Sequence, residues 1–146
     1  MVTSPSHRLI LSGCFIINTK QEILLLHRRD HAHYETPGGK VDLTDCVDGY
    51  NITEDDLLRT AERELYEELG SGFTCQKLSY FGSVEFTIPN GRLAIAHKFI
   101  THIISGRAVI NEPELFDDLE YLSIARLEEY KISPDLQLFL PKLKEM

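Results

Sequence analysis

The chain has 146 residues, 42% of them hydrophobic and 26% charged, which suits one globular domain with a real core and argues against disorder. Its formal net charge is −8 and its pI is near 5.2, so general nucleic-acid binding or adhesion to an acidic membrane is not expected. The three cysteines, Cys14, Cys46 and Cys75, are odd in number and lack CxxC spacing, which favours free thiols over a disulfide framework or a zinc site.

In chain order, residues 1–7 are polar and carry Pro5, and they are expected to fray. No basic region followed by an apolar core opens the chain and no apolar run reaches transmembrane length, so a cytoplasmic protein is expected. Leu9–Ile17 is apolar and β-branched, interrupted by Gly13, and reads as a buried strand. Asn18 to Glu22 is a turn, and Ile23–Leu26 is a second strand. It runs into His27-Arg28-Arg29-Asp30-His31, where Arg28 or Arg29 is placed to meet phosphate; the plain alternative is a solvated loop with a local Asp30 pair. His31 and His33 stand alone and read as surface residues. Pro37-Gly38-Gly39-Lys40 reads as a tight turn in which glycine permits close backbone approach.

Thr53 to Leu69 reads as one amphipathic helix. Thr53 suits its N-cap, with Asp56 three residues on. Leu58, Ala61, Leu65 and Leu69 form its apolar stripe, and Gly70 and Gly72 stop it. Lys77–Phe86 and Leu93–Ile104 read as strands joined at Pro89-Asn90-Gly91, a hairpin against the central sheet, with Arg107–Ile110 extending the pairing. Asn111–Asp118 is an acidic loop, Glu120-Tyr121-Leu122 a short strand, and residues 125–131 a helical turn. Pro134 starts a last helix carrying Leu136, Leu138, Phe139, Leu140 and Leu143. No repeat or linker interrupts the chain, so residues 1–146 are expected to form a single domain.

The chemistry concentrates on the first helix. Glu64, Glu67 and Glu68 sit at i, i+3 and i+4, so their carboxylates share a face. Such like charges destabilise an isolated helix by roughly 0.2–0.5 kcal/mol per close pair, which invites a cation from outside. Three hard oxygen donors suit Mg²⁺ or Mn²⁺. The bland reading is a solvated acidic face. Beside such a helix, Gly38, Gly39 and Lys40 could bring backbone groups to a metal-bound phosphate. Candidate walls for a nucleobase are Phe15, Tyr34, Phe81, Phe86 and Tyr121, although aromatics at strand spacing are mostly core.

At these residues the chain resembles the Nudix (MutT-like) hydrolases, whose box is a glycine, five residues, a glutamate, seven residues, then Arg-Glu-aliphatic-x-Glu-Glu-x-Gly. Its second half is complete here from Arg63 to Gly70, and its first half starts at Gly38-Gly39. The resemblance implies an α/β fold with a mixed β-sheet sandwiched between helices, and Phe15–Arg29 as the paired strands before the box. It implies Mg²⁺ or Mn²⁺ on Glu64, Glu67, Glu68 and the Gly39 carbonyl, and Arg63 orienting the carboxylates. It favours Arg29 for phosphate contact, with Gly38, Gly39 and Lys40 on the substrate. The general base varies in the family; Glu68 and Glu120 are the expected choices, with Glu112 third. Two departures stand out. About ten extra residues split the box, so counting forward from Gly39 puts its first glutamate at Asp45 and counting back from Arg63 puts it at Asp55. The insert, residues 46–52, is expected to be a loop, either a partial lid or a passive bulge. Thr36 stands where relatives often carry a large apolar residue.

The implied activity is hydrolysis of a nucleoside triphosphate to the monophosphate and pyrophosphate. The alternatives are hydrolysis of ADP-ribose or a dinucleoside polyphosphate, and a non-catalytic nucleotide-binding domain. The expected partner is thus a small nucleotide, with neither nucleic acid nor membrane. Many relatives dimerise, so a homodimer is also expected, although no residue identifies an interface.

Overall fold

Alternation of apolar side chains builds two sheets whose opposite faces carry two cores. The computed structural model describes residues 8–42, 45–48 and 51–146; the expectation of fraying at residues 1–7, and Gly49 and Tyr50 of the insert, lie outside the described residues. The first sheet has the order β4-β1-β7-β6, formed by Gly38–Lys40, Leu9–Ile16, Leu93–Thr101 and Ser79–Thr87. It is mixed: β1 runs parallel to β7, with Leu11 opposite Ala96, and antiparallel to β4, with Ser12 opposite Gly39. The second sheet has the order β3-β2-β9, from His33–Glu35, Glu22–Arg28 and Phe116–Ser123, all antiparallel. A two-stranded ribbon pairs β5 (Phe73–Cys75) with β8 (Ile103–Gly106).

Helix α1 (Glu54–Leu69) covers one side and α2 (Pro134–Lys144) the other. Ile10, Cys14, Ile16, Leu24 and Leu26 point to α1, where Leu57, Ala61, Leu65 and Leu69 meet them. Their neighbours Phe15, Ile17, Ile23 and Leu25 point to α2, against Leu136, Phe139, Leu140 and Leu143. The period-2 alternation of β1 and β2 therefore divides one sequence run between two cores. The α/β sandwich expected from the sequence is the fold found.

Four local expectations change. Leu93–Ile104 is two strands: after Thr101 the chain leaves β7, and Ile103–Gly106 pairs with β5 instead. Arg107–Ile110 extends no ladder; Arg107 donates its backbone N–H to the Gly72 carbonyl and Val109 donates to that of Leu69. The strand after the acidic loop starts at Phe116, so it takes in residues expected to be loop. Gly38–Lys40 is an extended edge strand rather than a turn. Glycine is needed at position 38 for contact, since a Cβ there would lie 2.9 Å from the Gly13 Cα. The helical turn expected near 125–131 is a 3₁₀ segment, Ile124–Glu129. Among the described residues no helix is long and apolar enough to cross a membrane.

Candidate active site

The site grows from the start of α1. The Thr53 hydroxyl accepts a hydrogen bond from the Asp56 backbone N–H and the Asp56 carboxylate accepts one from that of Thr53, a complete capping box. Asp56 is fully buried and also takes the Val47 N–H and an ion pair from Arg59, which ties the insert to the helix. Two turns further on, Arg63 lies between the helix and the chain that precedes the insert. Its Nε and Nη2 grip the two Asp45 oxygens at 3.1 and 3.0 Å, a two-pronged pair. Nη2 also donates to the Lys40 carbonyl at 3.3 Å, while Nη1 reaches Glu64 at 3.0 Å and Glu67 at 3.2 Å. Burial pushes the Asp45 carboxyl up, but hydrogen bonds from Arg63, the Asp42 segment and Thr60 together hold it below its ordinary value. Asp55 is exposed on the helix. Asp45 and not Asp55 is therefore the acidic partner of Arg63.

The three glutamates have different surroundings. The Glu67 side chain is 51% exposed and paired to Arg63. Glu64 packs its carboxylate against Gly39 so closely that a Cβ there would overlap it. Burial raises its carboxyl, although Arg63 pulls the other way. Glu68 is only 4% exposed. Its Oε1 takes one long hydrogen bond from the Gly38 N–H, at 3.4 Å, and its buried Oε2 has no hydrogen-bond partner. Burial first, then the charges of Glu64 and Glu35, push this carboxyl up to about 9. A solvated acidic face is ruled out for Glu68.

The C-terminal end of α1 is held by the segment before β9. Asn111 donates its backbone N–H to the Glu68 carbonyl and its side-chain amide to that of Glu67. This brings Glu112 near Glu64 and Glu67, whose charges, after burial and Glu114, raise its carboxyl. Glu120 is not part of the group. It lies opposite Leu25 in the ladder, on the α2 side, and Tyr34 donates to it at 3.5 Å and to Asp118 at 2.9 Å.

A cleft of about 290 Å³ opens beside Gly38, Gly39 and Lys40. Arg28 lines it, 3.6 Å from Glu35 and hydrogen-bonded to Asp30 at 2.7 Å; burial works against its charge, but Asp30 and then Glu35 hold it more firmly charged than usual. Arg29 points away and donates to the Pro113 carbonyl at 2.9 Å, at the protein surface. Strand alternation carried the missed signal: Leu24, Leu26 and Arg28 share a face of β2, and Arg29 does not. Glu35, opposite Leu26 and bonded to His33 at 2.8 Å, was also missed, as were Thr36, Lys98 and Asp135 on the far wall of the cleft. Of the five aromatic candidates only Phe86 lines the cleft; Phe15 and Phe81 pack edge-on in the α2 core, Tyr34 faces Asp118, and Tyr121 packs toward α1.

The donors fit a small hard cation. Glu64 and Glu68 converge beneath Gly39, one of their oxygens is buried and orphaned, and Mg²⁺ characteristically uses only one or two carboxylates plus water. Among the described residues no three acidic, histidine or cysteine side chains already form a closed cage, because Glu67 is turned to Arg63.

The chain matches the family model of the NUDIX domain over residues 8–143. Its fold is similar to that of a MutT NUDIX hydrolase from Burkholderia pseudomallei, with TM-score 0.74, 23% identity, and 92% of this chain and 96% of that one covered. It is also similar to a MutT protein from Methanosarcina mazei Go1 (0.71, 20%, 99% and 97%) and to the NUDIX domain of Shewanella oneidensis NrtR, solved with ADP ribose (0.67, 16%, 95% and 89%). No curated protein matches it in sequence. With the Arg63–Gly70 motif on a helix against a glycine strand, and a family match over nearly its whole length, the chain belongs to the Nudix hydrolase family.

Proposed function

We propose that the protein is a metal-dependent pyrophosphohydrolase that cleaves a nucleoside triphosphate to the monophosphate and pyrophosphate. The observation that carries this reading is Glu68, a buried carboxyl with an orphaned oxygen, set beside Glu64 under Gly39. A buried acid without a partner costs stability unless a ligand uses it. Mg²⁺ or Mn²⁺, held by Glu64, Glu68 and the Gly39 carbonyl with Glu67 as a further donor, supplies phosphate charge neutralisation and a more acidic water. The chain's own groups do the rest. Arg28 lines the cleft and binds phosphate oxygens, the Gly38–Lys40 backbone lies along them, and Arg63 keeps Glu64 and Glu67 in register. In this reading Glu68, rather than Glu120, takes the proton of the attacking water, in the carboxylate form that a bound cation would favour.

The neighbour solved with ADP ribose supports a second reading, in which a nucleoside diphosphate linked to another group is cleaved. One panel separates the two: nucleotide and sugar-phosphate products resolved by ion-exchange chromatography, with pyrophosphate assayed directly, from nucleoside triphosphates, ADP-ribose and a dinucleoside tetraphosphate, with Mg²⁺, Mn²⁺ or EDTA. Triphosphates releasing pyrophosphate only with metal, and Glu67→Gln and Glu68→Gln losing most of that turnover, is the expected result. ADP-ribose cleaved far faster than any triphosphate would reverse the assignment. Nucleotide binding without metal-stimulated turnover would make the domain a sensor. A cytoplasmic location and a homodimer belong to the same proposal.

A further inference from the structure

The far wall of the cleft carries a polar cluster that phosphate chemistry does not use. Lys98, in the middle of β7, is 4% exposed. Its ammonium sits above Gly13, donates to Thr36 Oγ1 at 2.8 Å and lies 3.5 Å from Asp135 Oδ2. Thr36, the residue out of keeping with the family pattern, is thus the hydroxyl partner of a buried lysine. Ser133 precedes α2 at the N-cap position, yet its hydroxyl makes no cap hydrogen bond; it is buried beside the Asp135 carboxylate. Burial pushes the Asp135 carboxyl up, but Lys98 beside it, then the Ser133 hydroxyl and backbone N–H groups at the start of α2, together more than offset this, so it stays a carboxylate. Phe86 lines the same cleft.

An ammonium only donates and a carboxylate only accepts, so Lys98 and Asp135 side by side present a fixed donor–acceptor order. Burial makes a mismatch against either group costly. A tether between β7 and α2 alone would need the ion pair; it would not need to open onto the cleft beside Gly39.

We propose that Lys98 and Asp135, aided by Ser133, read the edge of a nucleobase and select one that presents an oxo oxygen next to a ring N–H. Guanine, hypoxanthine, uracil and thymine have that edge; adenine and cytosine present an amino group next to an accepting ring nitrogen, the reverse order. Turning adenine over to match would carry its glycosidic bond to the other end of the edge, away from phosphates held at Gly39. Phe86 offers the ring face a stacking surface. The inference rests on the nucleotide reading above.

The test has two arms: kcat/KM for GTP, ITP and UTP against ATP and CTP with Mg²⁺, and metal-free calorimetric binding of GMP and UMP against AMP and CMP. About a tenfold preference for the oxo bases is expected in both arms, the value of one well-made buried hydrogen bond. Lys98→Met should bring that ratio to within about twofold by raising KM for the oxo bases, and Ser133→Ala should lower it in part. Absence of base preference in the wild type overturns the inference, and metal-dependent hydrolysis in the same panel leaves the hydrolase standing. Base-selective binding without hydrolysis overturns the hydrolase and upholds the inference. A variant ratio equal to that of the wild type, with all nucleotides weakened alike, would reduce Lys98 to a structural tether and also overturn it.

Discussion

At the scale of single residues, one acid substitutes for another in a displaced position. Asp45 reaches Arg63 from before the insert, and Thr60 donates to it at 2.8 Å. Asp45→Ala leaves Arg63 without its two-pronged partner, and breaking a largely buried pair of this kind costs about 3 kcal/mol. Asp55→Ala, on the exposed helix surface, should change stability by less than about 0.5 kcal/mol. Chemical denaturation of both variants checks this, and equal losses would sink the assignment of Asp45. Glu68 makes a second prediction. Its folded carboxyl is raised to about 9, so below that pH the folded protein keeps a proton that the unfolded chain has already lost. The metal-free protein therefore loses stability as pH climbs from the ordinary carboxylate range toward 9. In EDTA, the Tm of the wild type should fall relative to Glu68→Gln over this interval. Added Mg²⁺ should raise it most at the alkaline end, since the cation needs the ionised form. A wild-type Tm that climbs relative to the variant would contradict the buried, protonated state.

At the scale of elements, α1 is fixed at both ends by specific bonds. Its acidic first turn, Glu54, Asp55 and Asp56, complements the positive end of the helix dipole, and the Thr53–Asp56 box satisfies two of its free N–H groups. Its last turn has no basic residue, and the segment from Val109 to Asn111 takes the carbonyls of Glu67, Glu68 and Leu69 instead. Thr53→Ala should cost about 1 kcal/mol of stability, read by urea denaturation, with an m-value close to that of the wild type. Little change would mean that the Asp56 carboxylate holds the helix start alone. The insert ends at this cap, and Val47 within it is attached to the helix through Asp56, as the Asp45 carbonyl just before it is through Arg59, while the box's second half keeps its register behind it.

At the scale of the whole molecule, the two cores are back to back on shared strands. Phe139 packs edge-on to Phe15 at 5.1 Å on the α2 side, and Leu65 is fully buried on the α1 side. Phe139→Ala should cost about 3–5 kcal/mol and Leu65→Ala about 2–5 kcal/mol. Because β1 and β2 contribute to both cores, each variant should still melt in one transition by both calorimetry and circular dichroism. Two transitions in either variant would show that the cores unfold separately. The Glu64–Glu68 side of the cleft lies over one core and the Lys98–Asp135 wall over the other, so their relative placement depends on the strands between them.

The amino-acid sequence by itself determined the parts whose signals are local. A 3.6-residue period, a cap and two glycines define α1; alternation and turn residues define β1, β2 and the β6–β7 hairpin. The motif from Arg63 to Gly70 placed Glu64, Glu67 and Glu68 on one helix because helical spacing is fixed. Only the tertiary structure decided among residues that sequence distance treats as equal. Asp45 and Asp55 both fit a count, and the choice fell to Asp45 because the chain before the insert passes under Arg63. Arg28 and Arg29 both fit a strand end, and the face of β2 that turns toward α1 puts Arg28 on the cleft and leaves Arg29 at the Pro113 carbonyl. Glu67 and Glu68 are adjacent acids, yet one is solvated and the other buried, because helix rotation against β4 covers a single position. Lys98, Thr36 and Asp135 are 62 and 37 residues from one another in pairs, and no local pattern joins them until β7 and α2 close on the same cleft.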